Sequence, residues 1–159
     1  MGSRSNIEKA YIAGFLDGDG SLMLQIKKRK DTKRGFRFMA TMCFYQDTRH
    51  EKSLFWIKDA LGIGYISRRN DSMTELRING FSTVKSILLE LEPFVKFKSV
   101  QVSALIKACN LLEKRSISEL SKEQLIGLVD LILLIQNENY ATKHKKTKAE
   151  LLKIIDLTP

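Results

Sequence analysis

Cysteine and histidine are scarce in this chain, and each scarcity closes off a class of chemistry. Cys43 and Cys109 are the two cysteines among 159 residues. They lie far apart with no partners at finger-like spacing, so the sequence encodes neither a disulfide framework nor a thiolate zinc site. Both read as small apolar residues of a reducing, intracellular compartment. His50 and His144 are the two histidines, and they are too distant to cluster as nitrogen ligands. Any metal here is therefore bound by oxygen. The most apolar run, LIGLVDLILLI, is interrupted by Asp130 and is about half of the ~20 residues that a membrane span needs. It reads as a buried helix, and no membrane partner is expected. No charged-then-apolar secretory leader opens the chain, and the first five residues, beginning MGS, read as a tag remnant or an unstructured start.

Acid is also in deficit. Lysine and arginine number 27 against 18 aspartates and glutamates, a formal net charge of +9, beside an apolar content of 43%. That apolar share supports a packed core, so the surplus base belongs to a folded protein, and the length suits one domain spanning the whole chain. The charge implies a polyanionic partner, with nucleic acid ahead of a membrane surface.

Hydrophobic spacing then divides the chain. Ser5 and Glu8 have the capping-box spacing, and Ile7, Tyr11, Ile12, Phe15 and Leu16 follow at helical intervals, which predicts a helix from about Asn6 to Gly18. From Ser21 the period falls to two, with Leu22, Leu24 and Ile26 alternating against Met23, Gln25, Lys27 and Arg29. FRFMATMCFYQ repeats this pattern, setting Phe36, Phe38, Ala40, Met42 and Phe44 against Arg37, Met39, Thr41, Cys43 and Tyr45. Together the two segments make a hairpin. HEKSLFWIKDALG reads as a helix closed by Gly62, IGYISRRNDSMTELRIN as a second hairpin turning near Asn70 and Asp71, and STVKSILLELE as a helix halted by Pro93. Two longer helices are predicted over Ser99 to Glu113 and Ser121 to Asn137. The region 140–159 then supplies the basic stretch KHKKTK and a short terminal helix.

The fold class is therefore α+β: four antiparallel strands whose apolar face is backed by helices. The open face presents Gln25, Lys27, Arg29, Arg37, Ser67, Arg69, Glu75 and Arg77. These donors, acceptors and positive charges suit base edges and phosphates. At the join of the first helix and first strand stands DGDG. A calcium loop would need a glycine and a glutamate where the chain has Leu22 and Lys28, so that reading fails. Asp17 reads as a turn residue. Asp19 is different: a carboxylate at the negative end of a helix in a basic protein is best explained by a divalent cation held there. Gly14 and Gly18 form a G-x-x-x-G face on which two helix backbones could approach closely, bringing two Asp19 carboxylates side by side.

IAGFLDGDG, Ile12 to Gly20, resembles the signature of the LAGLIDADG homing endonucleases, matching at Ala13, Gly14, Asp17, Asp19 and Gly20. The helix–hairpin–helix–hairpin–helix order is similar to that family's αββαββα core with its β saddle, and the resemblance extends to the C-terminal helices. With one motif copy, the chain resembles the single-motif branch, whose members are homodimers, which implies Ala13, Gly14 and Gly18 at the interface. The resemblance also implies Asp19 as the catalytic, metal-binding aspartate with the Gly18 carbonyl beside it. It further implies Gln46 as an orienting residue, Lys98 as the lysine of the catalytic pocket, and Arg49 or His50 as positive charge near the scissile phosphate. Double-stranded DNA is the implied partner, gripped by Gln25, Lys27, Arg29, Arg37, Thr41, Ser67, Arg69, Glu75 and Arg77 and, through the loop Lys143 to Thr147, by Lys143 and Lys146. The implied cofactor is Mg²⁺, with Mn²⁺ substituting and Ca²⁺ binding without supporting cleavage. The implied reaction cuts both strands and leaves 3′ overhangs, in an organelle (chloroplast or mitochondrion) or a prokaryotic cytoplasm. A strand of ~10 residues spans ~33 Å, so a dimer is expected to read a near-palindrome of ~20 base pairs. The alternative is a non-cleaving binding protein on the same scaffold, such as an RNA-binding intron maturase.

Overall fold

The computed structural model describes residues 3–139 and 143–157. The opening of the expected tag and the start of the region 140–159 lie outside the described residues. Arg4 and Ser5 do not fit an unstructured start. Ser5 caps the first helix in a full capping box with Glu8. Arg4 is buried, donating to the carbonyls of Ala60 and Leu61 at 2.8 and 2.9 Å and pairing with Glu90 at 2.5 Å. A guanidinium on the last carbonyls of a helix meets both their unsatisfied acceptors and their negative dipole end.

The elements follow in order: α1 (Asn6–Asp19), β1 (Gly20–Lys28), β2 (Phe36–Asp47), α2 (Lys52–Leu61), β3 (Tyr65–Arg68), β4 (Met73–Asn79), α3 (Phe81–Leu91), α4 (Ser99–Leu112), α5 (Lys122–Glu138) and α6 (Lys148–Ile154). Short 3₁₀ turns at 48–50, 92–94 and 117–119 were not expected from hydrophobic spacing, because one turn is too short to show a period. The four strands form one antiparallel sheet ordered β1-β2-β4-β3, so the hairpins meet at the central pair β2 and β4. Gly62 ends α2 in the left-handed region at φ 71°, which a side chain rarely adopts.

Alternation divides the sheet as the sequence implies. Leu22, Leu24, Ile26, Phe36, Phe38, Ala40, Met42, Phe44, Leu76 and Ile78 are buried beneath it, against α1, α3, α4 and α5. Each fully buried Leu, Ile or Phe is worth about 1.5–3 kcal/mol relative to exposure. Gln46 belongs to this parity and pairs in register with the buried Thr74, so it leaves β2 on the helix side. The apolar run of α5 buries Leu125, Leu128, Val129, Ile132 and Ile135, while Asp130 points outward to Lys148 at 2.9 Å. Among the described residues no helix is long and apolar enough to cross a membrane.

Candidate active site and nucleic-acid interface

Helix α1 ends at Asp19 and β1 begins at once with Gly20, whose N–H donates to the Leu16 carbonyl. A Cβ on Gly20 would lie 2.7 Å from that carbonyl oxygen and 2.8 Å from the Leu16 Cα. Glycine is required there by close approach, not by its φ, because the strand doubles back tightly against the helix. This handover places Asp19 at the rim of the open sheet face, exposed.

Asp17 is not a simple turn residue. It is helical and buried at 6% exposure. Its carboxylate accepts the backbone N–H of Lys96 at 2.7 Å and that of Lys98 at 3.0 Å. Lys98 is the N-cap of α4, so the acid that α1's negative end would repel lies against another helix's positive end. In return the Lys98 ammonium donates to the Asp17 carbonyl at 2.6 Å. Burial pushes the Lys98 ammonium below its ordinary value, opposed by the pull of Asp17 and Asp19.

Asp19 and Lys98, far apart in sequence, line one cavity of about 440 Å³ together with Gly18, Ser21, Tyr45, Arg69 and Asn139. Ser21 and Tyr45 share the open face by strand parity, and their hydroxyls lie 3.1 Å apart. Burial pushes the Tyr45 phenol up to about 12, with the Ser21 hydroxyl opposing. Parity could have found both. Asn139 gave no such signal: it arrives from the end of α5, donating to the Leu22 carbonyl at 3.2 Å and accepting from Gln101 at 3.4 Å. Gln46 does not line this cavity, and its Oε1 accepts the Asp47 N–H at 2.9 Å. Arg49 forks onto Asp47 at 3.0 Å through both Nε and Nη2, whereas His50 is exposed.

Among the described residues no three His, Cys, Asp or Glu side chains gather as a metal cage. The donors around Asp19 are oxygens, which suit a hard cation such as Mg²⁺ completed by water and phosphate oxygens. The open face is less uniformly available than alternation suggests. Thr41 is wholly buried and donates to Asn79 at 2.8 Å, so its hydroxyl is already engaged and it is not a free DNA contact. A short side chain in a central strand is overtopped by its cross-strand neighbours, here Met23 and Asn79. Glu75 is also buried and accepts from Arg77 at 3.1 Å. Arg29 is held by Asp31 at 2.8 Å and Arg69 by Asp71 at 2.9 Å. Lys27 and Arg37 face each other across the β1–β2 ladder at its far end. Lys143 and Lys146 are exposed, with the Lys146 N–H tied to Gln136 at 3.0 Å.

On α1's outer side Ile7, Tyr11, Gly14 and Gly18 are all exposed, and a Cβ added at either glycine meets nothing within 4 Å. Ala13 is wholly buried in the chain's own core and has no surface to offer a partner. It lies about 100° around the helix from Gly14, on the stripe of Ile12, Leu16 and Asp17.

A family model described as LAGLIDADG endonuclease matches residues 12–99. The chain is 28% identical over 145 residues to the DNA endonuclease I-CreI of Chlamydomonas reinhardtii, covering 91% of this chain and 86% of that protein. It is 30% identical over 98 residues to the DNA endonuclease I-CvuI of Chlorella vulgaris, covering 62% of this chain and 61% of that one. In fold it is similar to an archaeal intron-encoded homing endonuclease complexed with DNA, at a TM-score of 0.80 and 24% identity over 95% of this chain and 96% of the other. A motif helix that delivers its second aspartate to the rim of a β saddle, and a family match over more than half of the chain, lead to one assignment: this chain belongs to the LAGLIDADG endonuclease family.

Proposed function

We propose that the chain is a homodimeric, site-specific endonuclease that hydrolyses both strands of a long, near-palindromic DNA target of roughly 20 base pairs and leaves 3′ overhangs. The observation that carries this reading is the cavity shared by Asp19 and Lys98 at the edge of an open, arginine-bearing sheet. The names of the endonuclease relatives support it.

DNA lies along the strands, positioned by Lys27, Arg37, Lys143 and Lys146 on its phosphates and read by Gln25, Ser67, Arg69 and Arg77 in its groove. The exposed glycine face of α1 receives the same face of a second copy, which sets two Asp19 carboxylates at the scissile centre, one for each strand. Asp19 and the Gly18 carbonyl would hold the divalent cation; Mg²⁺, with Mn²⁺ as a substitute, would supply Lewis-acid chemistry for the hydrolysis there, and Ca²⁺ would bind without supporting cleavage. Lys98 has one N–H committed to the Asp17 carbonyl and, as an ammonium with three donors, two left for the phosphate charge. Asn139 and Tyr45 complete the wall of the cavity. The two free, buried cysteines suit a reducing setting such as an organelle or a prokaryotic cytoplasm.

Asp19→Asn tests the reading. Mg²⁺-dependent cleavage of a target selected from a randomised duplex library is expected to be lost, with affinity for that target unchanged within about threefold. Undiminished cutting by Asp19→Asn refutes the assignment, and a preference for structured RNA in competition replaces it with the maturase.

A further inference from the structure

Asp17 contributes no atom to the cavity lining, yet it holds one of the residues that do. Its two carboxylate oxygens are divided between two backbone donors. Oδ2 accepts from Lys96 at 2.7 Å and Oδ1 from Lys98 at 3.0 Å. No side chain of α4's own entry caps that helix, so the orphan amides at its start are met from outside by α1. The link runs both ways, because the Lys98 side chain turns back onto the Asp17 carbonyl at 2.6 Å. Lys98 is itself 7% exposed and forms no ion pair with a carboxylate among the described residues, so what fixes its ammonium is this closed loop of three hydrogen bonds.

Resting on the endonuclease reading above, we propose that Asp17 is a positioning residue for cleavage: by clamping the backbone at Lys96 and Lys98 it sets where the Lys98 ammonium stands relative to Asp19. The motif's two aspartates then divide the work. Asp19 faces the reacting phosphate, and Asp17 aims the lysine that faces it from the other side. A carboxylate is suited to this clamp because it is acceptor-only and meets two N–H donors at once. An asparagine of the same shape keeps one acceptor and turns an N–H₂ toward the second amide, which pushes the loop away.

Asp17→Asn is therefore expected to slow single-turnover cleavage with Mg²⁺ on the order of 10²-fold, while affinity for the target stays within about threefold of the parent. A loss of general stability would produce such a fall too, so the deciding measurement is a cycle with Lys98→Met. In the Lys98→Met background, followed over long incubations, Asp17→Asn is expected to cost less than about threefold, because the group it aims is gone. The same penalty in both backgrounds overturns the proposal, as does cutting by Asp17→Asn at the parent rate. Amide exchange in the unaltered protein supplies an independent readout: the Lys96 and Lys98 N–H groups are expected to be protected like helical amides, and exchange at open-loop rates overturns the clamp. Asp19→Asn run in parallel separates the two readings. If Asp19→Asn is inactive and Asp17→Asn cuts at the parent rate, the clamp alone fails; if Asp19→Asn cuts normally, the endonuclease site itself is misplaced.

Discussion

Tyr45 shows how one residue of the open face joins the site and the sheet. Its side chain is half-buried in the cavity wall, and its hydroxyl meets that of Ser21, the second residue of β1. Burial holds its phenol protonated to about 12, whereas in an unfolded chain a tyrosine ionises near about 10. Between those values the unfolded state carries fewer protons than the folded one, so stability falls as pH rises through the window. Denaturant unfolding at about pH 9 and about pH 11 is expected to show the parent losing more stability than Tyr45→Phe, which has no proton to release. Equal losses would mean that the phenol is not buried. Arg77 belongs to the same scale. It stands in register with Cys43 and, through it, Ser21, and Glu75 fixes its Nε. Arg77→Ala is expected to cost about 1–3 kcal/mol of discrimination at a few base pairs, read from the cleaved sites of a randomised library.

At the scale of the element, α1 is one helix with two faces of different use. Ile12, Ala13, Leu16 and Asp17 face inward, while Ile7, Tyr11, Gly14 and Gly18 face solvent. Glycine in a helix interior costs about 1 kcal/mol relative to a good helix former, and nothing in this chain crowds either glycine. In the proposed homodimer, close approach of a second helix accounts for that cost. Gly14→Leu is accordingly expected to leave the Tm of the folded chain equal or higher, while sedimentation shifts from dimer to monomer and cleavage of both strands fails. A dimer that persists in Gly14→Leu removes this face from the interface. The spacing G-x-x-x-G was visible in the sequence. That Ala13 belongs to the other face required the structure, because two adjacent small residues of similar character, Ala13 and Gly14, do not say which one a core will claim.

For the whole molecule, the proposed function has the sheet and the basic loop act on different parts of one polyanion. The net charge of +9 supplies attraction that carries no sequence information. In the proposed function Lys146 belongs to this class: it is exposed, its N–H is tied to Gln136, and it lines a groove shared with Gln25 and Lys27 of β1. Lys146→Ala is expected to weaken binding to every duplex alike and to reduce the slope of log affinity against log salt by about 1. An effect confined to the specific target would make it a base reader instead. Three arginines of the open face are held by acids two residues away, in Arg29–Asp31, Arg69–Asp71 and Arg77–Glu75. Within β4, spacing of two puts Glu75 and Arg77 on the same side of the strand, whereas Asp31 and Asp71 reach their arginines from the hairpin turns; in the proposed function each acid orients its arginine.

Periodicity by itself determined the α+β class, both hairpins, the helix order and the side of the sheet that is buried, because each depends on which residues within a few positions are apolar. The signature at Ile12 to Gly20 also pointed to Asp19, which the fold places in the wall of the cavity. Local pattern was blind to everything made by segments remote in the chain: the meeting of Asp17 with Lys96 and Lys98, the arrival of Asn139 beside Asp19, the departure of Gln46 to the helix side, and the burial of Thr41 beneath longer neighbours. Those contacts are settled by how helices pack under a four-stranded sheet. Packing depends on the summed shape of the core, which no single stretch of residues encodes.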